Sequence, residues 1–285
     1  MGRVGVWVSS RVWPADGAAA ADAAAELEEL GYQALWLGGT PPGTLEQPEA
    51  VLSVTSAMAV ATGIASVWAT PAATMAASYH RVAGAHPDRF LLGLGASHAP
   101  LVASLGQEYD KPLAKTSRFL DELDAARPPV PAEGRVLAAL GPRMLMLAAE
   151  RTAGAHPYLV PPEHTSLARE TMGPGPLLAP EQKAVLETDP GRARDVGRPM
   201  VAMYLRMPNY ASNLLRLGFT PDDLSQVSDR LVDALVVWGD EEAIARRVAD
   251  HRDAGADHVC VQVLTGDQEL PRAQWRALAP ALLAS

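Results

Sequence analysis

Short apolar runs alternate along the chain with alanine-rich stretches of helical period. Residues 4–8 (VGVWV) show little polar alternation, the pattern of a strand covered on both faces. Asp16 can cap a helix reaching Leu30, and Gly31 stands where a left-handed C-terminal residue belongs. A second strand is predicted at 34–37, a helix from near Pro48 to just before Gly63, a third strand at 64–68, a helix at 73–83 and a fourth strand at 90–94. The spacing then stretches: a helix at 114–126, a proline-rich link at 128–131, a strand at 136–140 and a helix at 142–151. A sixth strand at 156–160 precedes a helix opened by Pro161-Pro162, and the loop Gly173-Pro174-Gly175-Pro176 follows. Residues 183–187 (KAVLE) read as strand or helix. A mostly helical insertion over 189–235, a helix at 241–254 ended by Gly255, and a strand at 258–264 complete the series.

Eight strand candidates, each followed by helix, imply a parallel sheet, and eight units suggest a closed (β/α)8 TIM barrel. The chain of 285 residues suits one such domain spanning 1–285. An open doubly wound sheet would want a glycine-rich first turn, and the sequence after Val8 is SSRVWPADG. Apolar residues make up 48% of the chain, enough for a sizeable core. The formal charge of −9 argues against nucleic acid or an anionic membrane as partner, but leaves room for a small anionic ligand at a local positive site. Cys260 is the only cysteine, which rules out an intramolecular disulfide and fits a reducing compartment. No apolar stretch approaches the roughly 20 residues of a spanning helix. The N-terminus has no signal-peptide pattern, so a cytoplasmic location is expected.

In a parallel barrel the chemistry sits at the C-terminal ends of the strands. The third ends in Val67-Trp68-Ala69-Thr70-Pro71, where Trp68 is either a flat shelf for a ligand or a core aromatic. The fourth ends in Gly93-Leu94-Gly95-Ala96-Ser97-His98. Small residues there let a ligand approach the backbone, and His98 can donate, accept or shuttle a proton unless it is simply an exposed turn residue. The fifth ends in Leu140-Gly141-Pro142-Arg143-Met144. A proline-opened helix leaves its first N–H groups free for an anion, with Arg143 adding charge. A capped helix with a solvated arginine is the structural alternative. The histidines form neither H-x-H nor H-E-x-x-H, and no metal site is expected. Lys183 is expected at the start of its strand, on the wrong face for a Schiff base. No G-x-S-x-G elbow or Walker loop occurs. A small-residue rim, a phosphate-ready helix and few ionisable groups suit a bound cofactor that carries the hard chemistry.

The runs PDRFLLGLGASHAPLV, RVLAALGPRMLMLAAERTAGAHPYL and VVWGDEEAIARRVADHRDAGADHVCVQVL resemble the luciferase-like monooxygenase superfamily, nearest its actinobacterial F420-dependent branch. The resemblance covers nearly the whole chain. It implies a bacterial-luciferase-like (β/α)8 barrel with a helical insertion before the last strand, commonly a homodimer, and a deazaflavin or flavin ring across the strand tips. It implies a non-proline cis peptide at the end of strand three, expected within 66–69 and at Val67–Trp68 in particular. Cofactor contacts would come from Gly38, Val67, Trp68, Ala69, Thr70, Gly95, Ser97, His98, Gly141, Pro142, Arg143 and Met144. The F420-dependent sugar-phosphate dehydrogenases carry an Asp-His pair at the end of strand two, where this chain has Leu37-Gly38-Gly39-Thr40. His98 is then the remaining candidate for catalytic proton transfer. The resemblance implies hydride transfer between F420 and a small, largely apolar organic substrate. The alternatives are an FMN-dependent monooxygenase served by a separate reductase and a non-catalytic flavin- or deazaflavin-binding barrel.

Overall fold

The computed structural model describes residues 2–39, 44–267 and 269–284. Thr40, named above at the tip of strand two, lies outside them. In chain order the elements are β1 (Val4–Ser9), α1 (Gly17–Glu29), β2 (Ala34–Gly38), α2 (Glu46–Val54), β3 (Ala59–Thr62), β4 (Ala65–Ser66), α3 (Ala72–Ala85), β5 (Phe90–Gly95), α4 (Ala99–Ser104) and α5 (Pro112–Asp124). Then come β6 (Arg135–Leu137), α6 (Pro142–Arg151), β7 (Gly154–Ala155), α7 (Pro162–Met172), β8 (Leu177–Leu178) and β9 (Glu181–Leu186). Four helices follow without an intervening strand: α8 (Pro190–Leu205), α9 (Pro208–Arg216), α10 (Pro221–Gln226) and α11 (Asp229–Leu235). The chain ends with β10 (Val236–Gly239), α12 (Glu241–Asp253), β11 (Val259–Val263) and α13 (Arg272–Leu283).

The strands pair in the order β10-β9-β11-β1-β2-β3-β5-β6-β7-β8, with β4 on β5. Every pairing between them is parallel. The run 177–186 carries β8, at one end of this order, and β9, next to the other end. Its first part pairs with β7, continued by Ala179 N donating to Ala155 O (2.9 Å) and Glu181 N to Pro157 O (2.9 Å). On its other edge Cys260 N of β11 donates to Pro180 O (3.1 Å). The sheet therefore curls into a parallel barrel, with helices between the strands.

Alternation along the strands makes two layers. Val4, Val6 and Val8, Leu35 and Leu37, and Val259, Val261 and Val263 face the helices. Trp7, Ala34, Trp36, Ala59, Ala61 and Cys260 face inward. Trp36 crosses the lumen: its Nε1 meets His258 Nε2 at 3.0 Å, and its ring stacks on His156 with centroids 4.2 Å apart. The α1 cap is as expected, Asp16 accepting from Ala19 N at 2.8 Å, and Gly31 takes φ +91°.

Four expectations are corrected. Strand three is Ala59–Thr62, not 64–68. Ala59 and Ala61 face the lumen, and Ala61 pairs with Trp36, so small residues are what the neighbouring tryptophans leave room for. The non-proline cis peptide is Gly63–Ile64, directly after this strand, and not Val67–Trp68. The sixth strand is only Gly154–Ala155, because Pro157 lacks an N–H and Leu159 takes φ +57°, which ends the extended run. Lys183 lies in the middle of β9, pointing inward and fully buried, not at a strand start on the wrong face. The segment 189–235 is helical as expected, and no helix among the described residues is long and apolar enough to cross a membrane.

Candidate functional site at the strand tips

At the tips of β3, β5 and β6 the backbone itself forms the rim. Gly63, Ile64, Ser66, Ala96, Ser97, Ala138, Leu140 and Gly141 are all partly open to solvent. Ile64 lies across Gly95, where an added Cβ would come within 2.7 Å of Ile64 Cδ1 and 3.1 Å of the Ala138 Cβ. Gly95 thus lets three strand tips close on one another without a side chain between them. Trp68 forms one wall. Its Nε1 donates to Ala96 O (2.8 Å), Gln107 Nε2 donates to its carbonyl (2.8 Å), Tyr109 packs against the ring, and Lys115 Nζ stands 5.3 Å over it. Ser97 adopts φ +56°, turning the chain into His98, the N-cap residue of α4. The His98 ring lies 5.6 Å from that of Tyr210. Burial pushes its pKa down and a hydrogen bond with the Asn209 side chain partly opposes this, so the imidazole is neutral at pH 7.

The structure brings Trp68, Gly95, Ser97 and His98 together and sets two other candidates apart. Val67 packs into the outer core. Gly38 is covered by Trp7, whose Cζ2 would lie 2.0 Å from an added Cβ. Thr70 is buried at the strand-three exit, and Ala69 is partly exposed there.

Across the rim, α6 begins at Gly141 with Pro142 in its first turn and no side chain capping it. Met144 N and Leu145 N both turn back to Gly141 O at 3.0 Å. Arg143 stands exposed in the first turn. A second cation, not legible in the local sequence, stands beside this turn: Arg216, from α9, places Nη2 3.7 Å from where a Gly141 Cβ would be. Arg216 also donates to Asn213 Oδ1 (3.1 Å), while the buried Asn213 Nδ2 has no partner. Neither Arg143 nor Arg216 has a carboxylate partner among the described residues. Other arginines do have carboxylate partners, among them Arg135–Asp124 (2.5 Å), Arg169–Asp257 (2.6 Å) and Arg194–Asp233 (2.6 Å). An uncapped helix start beside two guanidinium groups without carboxylate partners is chemically suited to an anion, on a chain of net charge −9.

The opposite side of the mouth is filled. Trp7, Tyr158, Tyr204 and Tyr210 pack ring to ring, with Trp7–Tyr158 and Tyr158–Tyr204 centroids 5.1 Å apart and Tyr204–Tyr210 5.0 Å. Below them Lys183 Nζ bonds both oxygens of Glu181 at 3.0 Å, with both side chains at 0% exposure. Among the described residues no group of three His, Cys, Asp or Glu could hold a metal ion.

A parallel barrel with helices between the strands and a rim of small residues at the strand tips defines the architectural class. Residues 1–173 match the luciferase-like monooxygenase family, and the chain belongs to it. No curated protein matches the sequence. Three solved structures resemble the fold over nearly their whole length. An F420-dependent secondary alcohol dehydrogenase in complex with an F420-acetone adduct is 14% identical, with 99% of each chain covered and a TM-score of 0.74. The coenzyme F420 dependent tetrahydromethanopterin reductase from Methanopyrus kandleri is 13% identical, with 99% of each chain covered and a TM-score of 0.77. The oxygenating constituent of 3,6-diketocamphane monooxygenase from Pseudomonas putida, in complex with FMN, is 13% identical. It is covered over 98% of this chain and 96% of that chain, with a TM-score of 0.69.

Proposed function

We propose that this chain is a single-domain, cytoplasmic, homodimeric F420-dependent oxidoreductase that transfers a hydride between the deazaflavin and a small, largely apolar organic substrate. The observation that carries this reading is the anion seat at the start of α6 beside a rim of glycine, alanine and serine. The residues fit a flat ring with a phosphorylated side chain. The backbone around Gly63–Ile64, Gly95 and Ala96 would lie against the ring, with Trp68 as its edge. Ser97, the first turn of α6, Arg143 and Arg216 would hold the phosphate. When bound, the cofactor supplies hydride chemistry, and the chain binds, orients and excludes water. His98, neutral and tethered to Asn209, is the rim group that can accept or return a proton at its imidazole.

The same seat suits FMN, which makes an FMN-dependent monooxygenase with a separate reductase the second reading. Titration of the purified protein with F420 and with FMN separates the two. Micromolar binding of F420 is the expected result, and binding of FMN alone would overturn the F420 reading. Single-turnover oxidation of bound reduced F420 by a panel of carbonyl, imine and activated-alkene compounds tests whether the barrel is catalytic. Replacement of His98 by Ala is expected to slow that step by roughly 10²-fold, the scale of one general acid–base group.

A further inference from the structure

The filled side of the mouth contains a polar chain that the cofactor seat does not use. Tyr204, in the last turn of α8, donates from Oη to Tyr158 Oη at 3.1 Å, and Tyr158 donates to Gln262 Oε1 at 2.8 Å. Lys183 Nζ sits 3.6 Å from the centre of the Tyr158 ring and 5.5 Å from that of Tyr204, anchored from the other side by Glu181. Glu181 Oε2 also accepts from Leu159 N at 3.1 Å. Tyr158, Gln262, Lys183 and Glu181 are buried, whereas Tyr204 is partly exposed, so the chain has one end inside the barrel and one end at the mouth. A fully buried ion pair contributes little net stability compared with apolar packing, and buried charges beside hydroxyls concentrate at functional sites. Every link is reversible. A phenol donates and accepts, and the Gln262 carboxamide offers both a carbonyl and an NH₂.

We propose that Tyr204 Oη is the subsite for the substrate's oxygen, selecting a carbonyl compound or the corresponding alcohol by the hydrogen bond it gives or takes. The proposal rests on the oxidoreductase reading above and names its substrate class. With the chain running outward, Tyr204 donates to a carbonyl oxygen. With it running inward, as seen here, Tyr204 accepts from a hydroxyl. In the reducing direction Tyr204 Oη would hold the carbonyl oxygen while a bound reduced deazaflavin supplied the hydride to the carbonyl carbon and was itself oxidised; the proton that completes CH–OH would come from solvent by way of His98, and Tyr204 would keep its own. Burial holds the Tyr204 phenol above its ordinary range and Glu181 adds to this, while the Tyr158 hydrogen bond and the Arg11 charge pull the other way. The group therefore carries its proton at neutral pH. Lys183 is a positioning residue: its ammonium fixes the Tyr158 ring, and with it the hydroxyl between Gln262 and Tyr204. This oxygen subsite stands on the side of the mouth where Trp7 lies over Gly38, the position at which an acid–base pair is absent.

The test uses benzamide, a carbonyl compound that this chemistry does not reduce, and toluene, which keeps the ring and lacks the carbonyl. Both are titrated into the full chain by ligand-observed NMR without cofactor. Tyr204→Phe is expected to weaken benzamide about tenfold and leave toluene unchanged, the loss expected of one hydrogen bond. The paired variant Glu181→Gln with Lys183→Met removes both charges together. It is expected to weaken benzamide and spare toluene, whereas a purely structural role would weaken both. Unchanged benzamide binding in Tyr204→Phe, equal weakening of the two probes, or no benzamide binding to the native chain would overturn the proposal. Because no cofactor is added, failure to bind F420 sinks the cofactor reading separately.

Discussion

On the side of β3, β5 and β6 the strands end in Gly63, Gly95, Ala138 and Gly141, and the nearby Arg143 and Arg216 have no carboxylate partner among the described residues. On the side of β1, β7, β9 and β11 the same level of the barrel holds Trp7, Tyr158, Tyr204 and Tyr210 over an ion pair at 0% exposure. One side has unmet charge and little side-chain bulk. The other has met charge and dense packing. Unmet charge beside small rim residues suits a phosphate-bearing ring, and packed hydroxyls over a buried ammonium suit a substrate held by few polar atoms. On the proposed function, the first side is the one that would seat the cofactor and the second the one that would face the reactant.

Breaking the charge balance of the packed side has the largest expected effect. Lys183→Met leaves the buried Glu181 without its partner, so that it must either take up a proton or stand alone as a charge, and is expected to cost about 3–5 kcal/mol in chemical denaturation, most of it recovered when Glu181→Gln is added. Acid acts on the same interior. Burial holds His156 and His258 down to about 4 from the ordinary 6.5. The unfolded chain thus binds protons that the folded chain refuses, and stability falls as pH drops from about 6.5 towards 4. Each histidine contributes on the order of 3 kcal/mol across that window. Denaturation midpoints measured from pH 7 to pH 4 should fall steadily, and His258→Gln should flatten the slope. A matched glycine pair then compares the two sides directly. Gly38→Ala drives a methyl into Trp7 and is expected to cost about 1–3 kcal/mol, whereas Gly141→Ala meets only Arg216 at 3.7 Å and should change stability by under about 0.5 kcal/mol.

The strand-helix alternation, the α1 cap and the rim residues Gly95, Ser97, Gly141 and Arg143 were legible in the sequence because each depends on local pattern. Strand three was not. Met58-Ala59-Val60-Ala61-Thr62 has alanines that fit a helix equally well, and their smallness is explained only by Trp36 on the adjacent strand, a contact set by topology. The site on the packed side was hidden for the same reason. Tyr204 and Tyr210 lie in the helical insertion, but Tyr158, Lys183 and Gln262 come from three different strand regions, and only closure of the barrel brings them together. Arg216 lies far along the chain from Arg143, and nothing in its local sequence points toward the start of α6.

The central claim is that the open side seats a phosphate-bearing ring. Its most direct test is the affinity of the native chain and of the Arg143→Gln/Arg216→Gln variant for F420 and for the same deazaflavin ring without its phosphate. The account predicts that the variant loses at least about tenfold in affinity for F420, as expected for two charge-assisted contacts, while its affinity for the phosphate-free ring stays the same. Equal affinity of native chain and variant for F420, or an equal loss for both ligands, would contradict it.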